Sequence, residues 1–261
     1  MFTGAMFQIR RKKFEIFYYT HHLAIVWSIL VFLHGIGCFV RTEERVCKGY
    51  FTWKYALAGF ILFLIERGLR EVRARRLTYI SKIIEHPSKV IELQFQKPSF
   101  SYKPGQYVFI CIPEISKYQW HPFTLSSCPE DDHHSVHIRV CGDWTSALAN
   151  RLGCFKKKDQ VKTYNGWYLP KIYVDGPYGT PTEDVFQYDS ALIVGAGIGV
   201  TPFASVLKHI WYRKTRNIKE NTKLQTLHFV WICRDKNAFE WFHSLLEAME
   251  KDCPSEFLHF H

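Results

Sequence analysis

The stretch from Phe14 to Val40 constrains this chain more than any other, because it holds a single acid, Glu15, among Phe, Ile, Val, Leu and Trp. At ~1.5 Å of rise per residue, a helix of that length crosses a ~30 Å hydrocarbon layer with some tilt. The run therefore predicts a membrane-spanning helix over 14–40. A cleaved signal peptide is the competing reading, against which stand its length and the lack of a small-residue cleavage site behind it. A second apolar block, Phe51 to Ile65, is shorter. It carries Lys54, whose stem can snorkel, with Trp53 and Tyr55 placed as interface anchors. A buried helix of a soluble protein competes with a second span over 51–65.

Charge places these blocks. The formal net charge of +10 would suit a nucleic-acid partner if it were spread out. Instead Arg10, Arg11, Lys12 and Lys13 supply +4, and the segment Arg67 to Arg76, with five Arg and one Glu, supplies another +4. Basic clusters outside two apolar blocks follow the positive-inside tendency. The expected arrangement is a transmembrane helical hairpin with both outer flanks in the cytosol and the loop Arg41 to Tyr50 on the far side. Membrane lipid is the expected contact and nucleic acid is not. Arg67, Arg70, Arg73 and Arg76 are spaced to share a helix face, which serves topology and anionic lipid or docks a regulatory subunit. Eight cysteines without a C-x-x-C pair fit a reduced, cytosolic remainder, with Cys38 and Cys47 either paired in the far-side loop or free.

Ionisable residues inside a membrane are costly, so His21, His22 and His34 need partners. Haem iron is one, since imidazole is a standard axial ligand. His21 and His34 lie thirteen residues apart, roughly 20 Å along a helix and about 140° around it. One ligand near each membrane face requires a bend or bulge between them. Hydrogen bonding within a helix bundle is the plainer alternative.

From Thr78 to about Gly179 the pattern becomes short β-branched and aromatic runs broken by Pro and Gly: Val90 to Phe95, Tyr107 to Ile112, Val136 to Val140 and Lys171 to Val174. This predicts a small antiparallel β-barrel. Within it, the stretch Trp120 to Ser127, which includes His121, Pro122, Phe123 and Thr124, sets an extended proline and two or three hydroxyls beside aromatics, a surface that can hydrogen-bond a flat heteroaromatic ring and its phosphates. Arg139 closes a strand, and Gly142-Asp143-Trp144-Thr145 opens a helix over Ser146 to Leu152, so an arginine and a helix N-terminus together offer a diphosphate site.

The last third alternates strand and helix. Asp189 to Val194 runs into Gly195-Ala196-Gly197-Ile198-Gly199-Val200-Thr201-Pro202 and a helix over Phe203 to Arg213. Glycines let backbone approach a diphosphate, and Pro202 suits a first helical turn. The next strand, Leu224 to Cys233, ends at Arg234, where a guanidinium can hold a 2′-phosphate. That favours NADPH over NADH. A single helix is expected over Ala238 to Lys251.

These motifs in this order resemble the NADPH oxidase family, of the flavocytochrome b and ferric reductase superfamily. The likeness rests on Tyr19-Thr20-His21-His22-Leu23 with His34-Gly35, on His121 to Leu125, and on His137-Ile138-Arg139 with Gly142 to Thr145. It continues through Asp175-Gly176-Pro177-Tyr178-Gly179-Thr180-Pro181, Gly195 to Phe203, and Cys233-Arg234-Asp235 with Ala238 to Phe242. The resemblance implies a multidomain chain. A membrane haem part would occupy 1–76, an antiparallel FAD barrel 77–182, and a partial α/β NADP-binding domain of ferredoxin reductase type 183–261. It implies His21 and His34 as ligands of haem b. His121, Pro122, Phe123, Thr124, Arg139, Trp144 and Thr145 would hold FAD. Gly197, Gly199, Thr201, Pro202 and Arg234 would hold NADPH, with Gly176, Pro177 and Gly179 lining its approach.

The implied activity is electron transfer from cytosolic NADPH through FAD and haem to oxygen, giving superoxide, in a plasma or internal membrane. No general acid or base is expected. Ferric-chelate reduction is the alternative on the same scaffold. The family has six core spans, of which only what look like the last two are present; the partner haem ligands on an earlier span and the terminal Cys-Gly-Pro segment and aromatic are not in this sequence. It therefore reads as truncated at both ends, which leaves a third alternative: a silent form that regulates a full-length homologue.

Overall fold

The computed structural model describes residues 14–36, 52–155, 169–216, 223–253 and 256–261. Arg10 to Lys13, the loop Arg41 to Tyr50, Cys38 and Cys47 lie outside the described residues. The chain divides into two compact units, 1–69 and 70–261.

In the first unit the expected single helix is interrupted. Helix α1 (Phe14–His21) gives way at His22 to α2 (Leu23–Ile36). The physical cause is local. The His22 amide turns to the Tyr19 carbonyl at 3.2 Å, and the Ile25 amide to the His22 carbonyl at 3.0 Å, both tighter than helical pairings. The His22 ring, through Nδ1, then donates to the Tyr18 carbonyl at 2.7 Å in place of the backbone amide. Among the described helices, residues Ile16–His34 are long and apolar enough to cross a membrane by length and composition. The second block does not stand alone, because α3 (Thr52–Ala74) continues through Glu66, Arg67 and Arg70. Rings of Phe32 and Phe60 approach to 5.2 Å, so α2 and α3 touch. Leu23, Ile25 and Trp27 are all more than half exposed.

The second unit has two halves. In the first, β1 (Tyr79–His86), β2 (Val90–Gln96) and β5 (His134–Arg139) form an antiparallel sheet in the order β1-β2-β5. Strands β3 (Tyr107–Cys111), β4 (His121–Thr124) and β6 (Tyr173–Tyr178) form another, ordered β4-β3-β6. A bridge between Leu125 and Val136 links the sheets. Alternation sends Leu93, Phe95, Ile110, Val136 and Ile138 into one core, capped by Trp144 and Leu148 of α4 (Asp143–Leu152).

The expected barrel is open, since among the described residues no backbone ladder joins β1 to β6. Side chains make contacts near that seam. Lys97, which follows β2, donates to the carbonyls of Val174 in β6 and of Arg73 in the last turn of α3, the latter at 3.3 Å. Arg70 donates twice to Asp175 Oδ2, at 2.8 and 2.9 Å, and Tyr178 donates to the same oxygen at 2.5 Å. Strand β6 also runs further than Lys171 to Val174. Its pairing with β3 carries through Asp175 to Tyr178, although Gly176 and Pro177 lie between.

The second half is a parallel sheet of β7 (Ser190–Ala196), β8 (Thr226–Ile232) and β9 (Leu258–Phe260), in that order. Helix α5 (Thr201–Thr215) joins β7 to β8, and α6 (His243–Asp252) joins β8 to β9. Ile193, Leu207, Leu227, Phe229, Trp241 and Met249 make its core, while Leu192, Val194 and Ile232 on the opposite face are exposed. The single helix expected over Ala238 to Lys251 is instead a 3-10 turn, Lys236–Trp241, followed by α6. Burial of Trp241 and Phe242 breaks the run, with the Trp241 indole held by the Pro87 carbonyl at 3.0 Å.

Candidate functional site

Strand β4 divides its four expected residues by the alternation of the pleat. His121 and Phe123 turn toward Trp144, with ring centroids 4.2 and 6.0 Å from the indole. Pro122 and Thr124 pair with Phe109 and Tyr107 of β3 and so share their face. There Tyr107, Phe109 and Tyr178 form a half-buried aromatic triangle, each pair 5.4 to 5.6 Å apart. In the sequence Tyr107, Phe109 and Tyr178 carry no expected site role, although the Tyr107 to Ile112 run and the Asp175 to Pro181 motif contain them. Their register opposite Thr124 and Pro122 is the signal that identifies them.

Two polar atoms here are buried without a hydrogen-bond partner, His121 Nε2 and Trp144 Nε1. Burial lowers the His121 pKa, keeping its ring neutral. A neutral imidazole and an indole N–H, both unsatisfied and beside a helix N-terminus, suit a polar, aromatic, phosphate-bearing ligand such as FAD. Thr145 builds that terminus: its hydroxyl accepts from the amides of Cys141 at 3.1 Å and Gly142 at 2.9 Å. Arg139 ends β5 as an exposed side chain. Gly176 and Pro177 lie within β6, and Gly179 packs so closely on Glu183 that a Cβ there would meet Oε1 at 2.8 Å.

The nucleotide-type half gathers its expected residues at the carboxyl edge of the parallel sheet. Ala196 of β7 is in register with Ile232 of β8, so Gly197 to Val200 and Cys233-Arg234 leave the sheet side by side. Ligands of open α/β sheets sit at this edge. Gly197 has φ +53, a conformation glycine adopts freely, and a Cβ on Gly197 or Gly199 would meet nothing within 4 Å. The space above both glycines is therefore open to a diphosphate. The Trp231 indole donates to the Gly197 carbonyl at 3.1 Å, and the Thr201 hydroxyl donates to the Ile198 carbonyl at 3.1 Å. Pro202 stands in the first turn of α5, and Arg234 is exposed.

His21 and His34 end α1 and lie in the last turn of α2, both exposed, with the His22 break between them. The two tight backbone pairings at His22 lie between them. A cavity of about 310 Å³ lies elsewhere, lined by Tyr102, Glu130, Glu183, His209 and Arg213, none of them an expected site residue.

Residues 76–182 match a family model described as an FAD-binding domain, and residues 188–261 one described as a ferric reductase NAD binding domain. NADPH oxidase 1 of Mus musculus is 44% identical over 97% of this chain and 46% of its own length. A superoxide-generating NADPH oxidase heavy chain of Dictyostelium discoideum is 41% identical over 100% of this chain and 50% of its own. The chain spans about half the length of these curated relatives. Ferredoxin-NADP+ reductase from Plasmodium falciparum aligns with a TM-score of 0.51 at 17% identity, over 70% of this chain and 68% of that one. That likeness shows a shared fold.

Proposed function

From its likeness to NADPH oxidases and its matches to an FAD-binding domain and a ferric reductase NAD binding domain, we propose that the chain belongs to the NADPH oxidase family and serves a superoxide-generating NADPH oxidase, moving electrons from cytosolic NADPH across a membrane to oxygen. The observation that carries this reading is the pairing of two built sites in one unit: unsatisfied His121 and Trp144 beside a helix N-terminus, and open glycines beside Arg234. The domains follow as 1–76 in the membrane, 77–182 for flavin and 183–261 for the nucleotide. Helices α1 to α3 would form the bilayer hairpin, in a plasma or internal membrane.

When bound, NADPH supplies a hydride, FAD takes two electrons and gives them up singly, and haem b passes single electrons on. The protein contributes position and electrostatics. Thr124 and Pro122, with the aromatic triangle behind them, present a flat face to an isoalloxazine. Trp144, Arg139 and the α4 N-terminus hold its diphosphate, with Thr145 shaping that terminus. Gly197, Gly199, Thr201 and Pro202 cradle the second diphosphate, and Arg234 pairs with the 2′-phosphate as a charge-assisted contact. Gly176, Pro177 and Gly179 line the approach, and His21 and His34 each offer one imidazole to iron. With Arg70 turned to Asp175, the exposed Arg67 and Arg73 of α3 are left to meet regulatory subunits and lipid.

The test is NADPH-dependent superoxide production by the chain in detergent or vesicles, followed with a superoxide-trapping dye, alongside flavin and Soret absorption. Oxygen-dependent NADPH loss with superoxide supports the reading; flavin-loaded protein without turnover overturns it in favour of a silent regulatory form. Ferric-chelate reduction draws support from the ferric reductase description of the nucleotide-domain match. Ferrous product formed anaerobically, with no superoxide in air, would establish it instead.

A further inference from the structure

The sheet β1-β2-β5 buries one face in the core already described, and its other face carries a cluster that none of the proposed chemistry uses. Glu92 of β2 is in register with His137 of β5, and His86 ends β1 on the same side. His86 Nε2 lies 3.0 Å from Glu92 Oε2, and His137 Nε2 lies 3.9 Å from the same oxygen. All three ligand-type atoms fall within 4.8 Å of one another. The His86 and His137 rings stack at 5.2 Å, and Phe242 closes over His137 at 4.7 Å.

His137 distinguishes this cluster from an ordinary ion pair. Its side chain is only 3% exposed, and its Nε2 has no hydrogen-bond partner. The other ring nitrogen, Nδ1, is 2.8 Å from the Ser126 hydroxyl, which in turn meets the Ser135 hydroxyl at 2.9 Å. When Nδ1 donates to Ser126, the Nε2 lone pair faces the Glu92 carboxylate oxygen 3.9 Å away. That is the tautomer metal-bound histidine takes when a second partner orients it, and a lone pair facing a carboxylate calls for a cation between them.

We propose that His86, Glu92 and His137 form a binding site for a zinc-class divalent cation, through two Nε2 atoms and one carboxylate oxygen. Two imidazoles and a carboxylate select zinc and its neighbours over calcium or magnesium, which take oxygen donors. The partly exposed His86 and Glu92 side gives access and leaves a fourth position for water. The site lies at the seam of the two halves. Next to His86, the Pro87 carbonyl holds the Trp241 indole, and Ser88 bonds to Asp235, the neighbour of Arg234. A bound cation would brace this seam.

The full 261-residue chain, purified in detergent and stripped with a chelator, is titrated with cobalt(II) and then with zinc(II). One equivalent of cobalt should give visible bands of tetrahedral intensity that stoichiometric zinc bleaches, and zinc should raise the unfolding temperature. Glu92→Gln keeps the side-chain shape and His86→Gln lies at a partly exposed strand end, so each should fold while weakening cobalt binding about tenfold or more. His228, stacked on His259 at 4.6 Å, offers rival imidazoles, and His228→Gln should leave the bands unchanged. Absence of saturable binding, or bands that survive both ligand variants, overturns the proposal. So do bands that vanish with His228→Gln.

Discussion

The two halves of the larger unit prepare their candidate sites by opposite means. The antiparallel half presents side chains: a half-buried imidazole and a buried indole, each with a buried nitrogen that has no partner, and an aromatic triangle behind Thr124. The parallel half presents their absence, with open space where Gly197 and Gly199 would carry a Cβ. One surface is complementary through groups that await a contact, the other through room for backbone to approach. Damage to the first should therefore cost stability and flavin together, whereas damage to the second should cost nucleotide affinity while leaving flavin in place.

The largest effect that tests this contrast is Trp144→Ala. Removing an indole that packs on His121, Phe123 and the core should destabilise the fold by about 3–5 kcal/mol. Flavin absorbance after gel filtration should vanish at temperatures where the variant is still folded; retained flavin would break the comparison. Gly197→Val fills the open space and forces a β-branched residue to positive φ, with strain of about 1–3 kcal/mol. NADPH binding by fluorescence titration should fall on the order of a hundredfold, while flavin content stays at the parent level. Arg234→Ala should weaken NADPH relative to NADH by about 1.5–3 kcal/mol, the worth of a charged hydrogen bond. Equal loss for both nucleotides would remove the guanidinium from the 2′-phosphate.

Smaller effects sharpen the antiparallel side. Thr145→Val removes the acceptor that closes the α4 terminus and should lower stability by about 1 kcal/mol, read by denaturant unfolding. Lys97 is buried, and desolvation pulls its pKa from 10.5 down to about 8 despite the opposing pull of Asp175. Between those values the unfolded chain binds more protons than the folded one, so stability should rise with pH from about 8 to 10.5 and then level off. Unfolding temperatures of Lys97→Met should lack that rise.

Much of the larger unit was legible in the residues. The runs read as strands at Val90 to Phe95 and Tyr107 to Ile112 lie within a residue of β2 and β3, because β-branched alternation and flanking turns agree there. The glycine run and Pro202 marked the edge of the parallel sheet for the same reason of local consistency. What stayed hidden depends on partners distant in sequence. Strand β1, YISKIIEH, lacks clean alternation and forms by pairing with β2 around a register shift at Ile80 and Lys82. Phe242 ends the 3-10 turn because its ring is wanted between Trp231 and His137. His86, Glu92 and His137 come from three strands and show no ligand spacing until the register is known. In the apolar helices composition was plain, yet the His22 interruption rests on a ring nitrogen displacing its own amide, which no periodicity records.

The indole of Trp231 fastens the Gly197 carbonyl from the neighbouring strand. A glycine run free of that tether would wander among many shapes and would have to surrender them whenever a guest arrived. Held as it is, the loop would meet an incoming nucleotide in one shape, and capture and departure at this edge would then depend on the guest's own charges rather than on a rearrangement of its host.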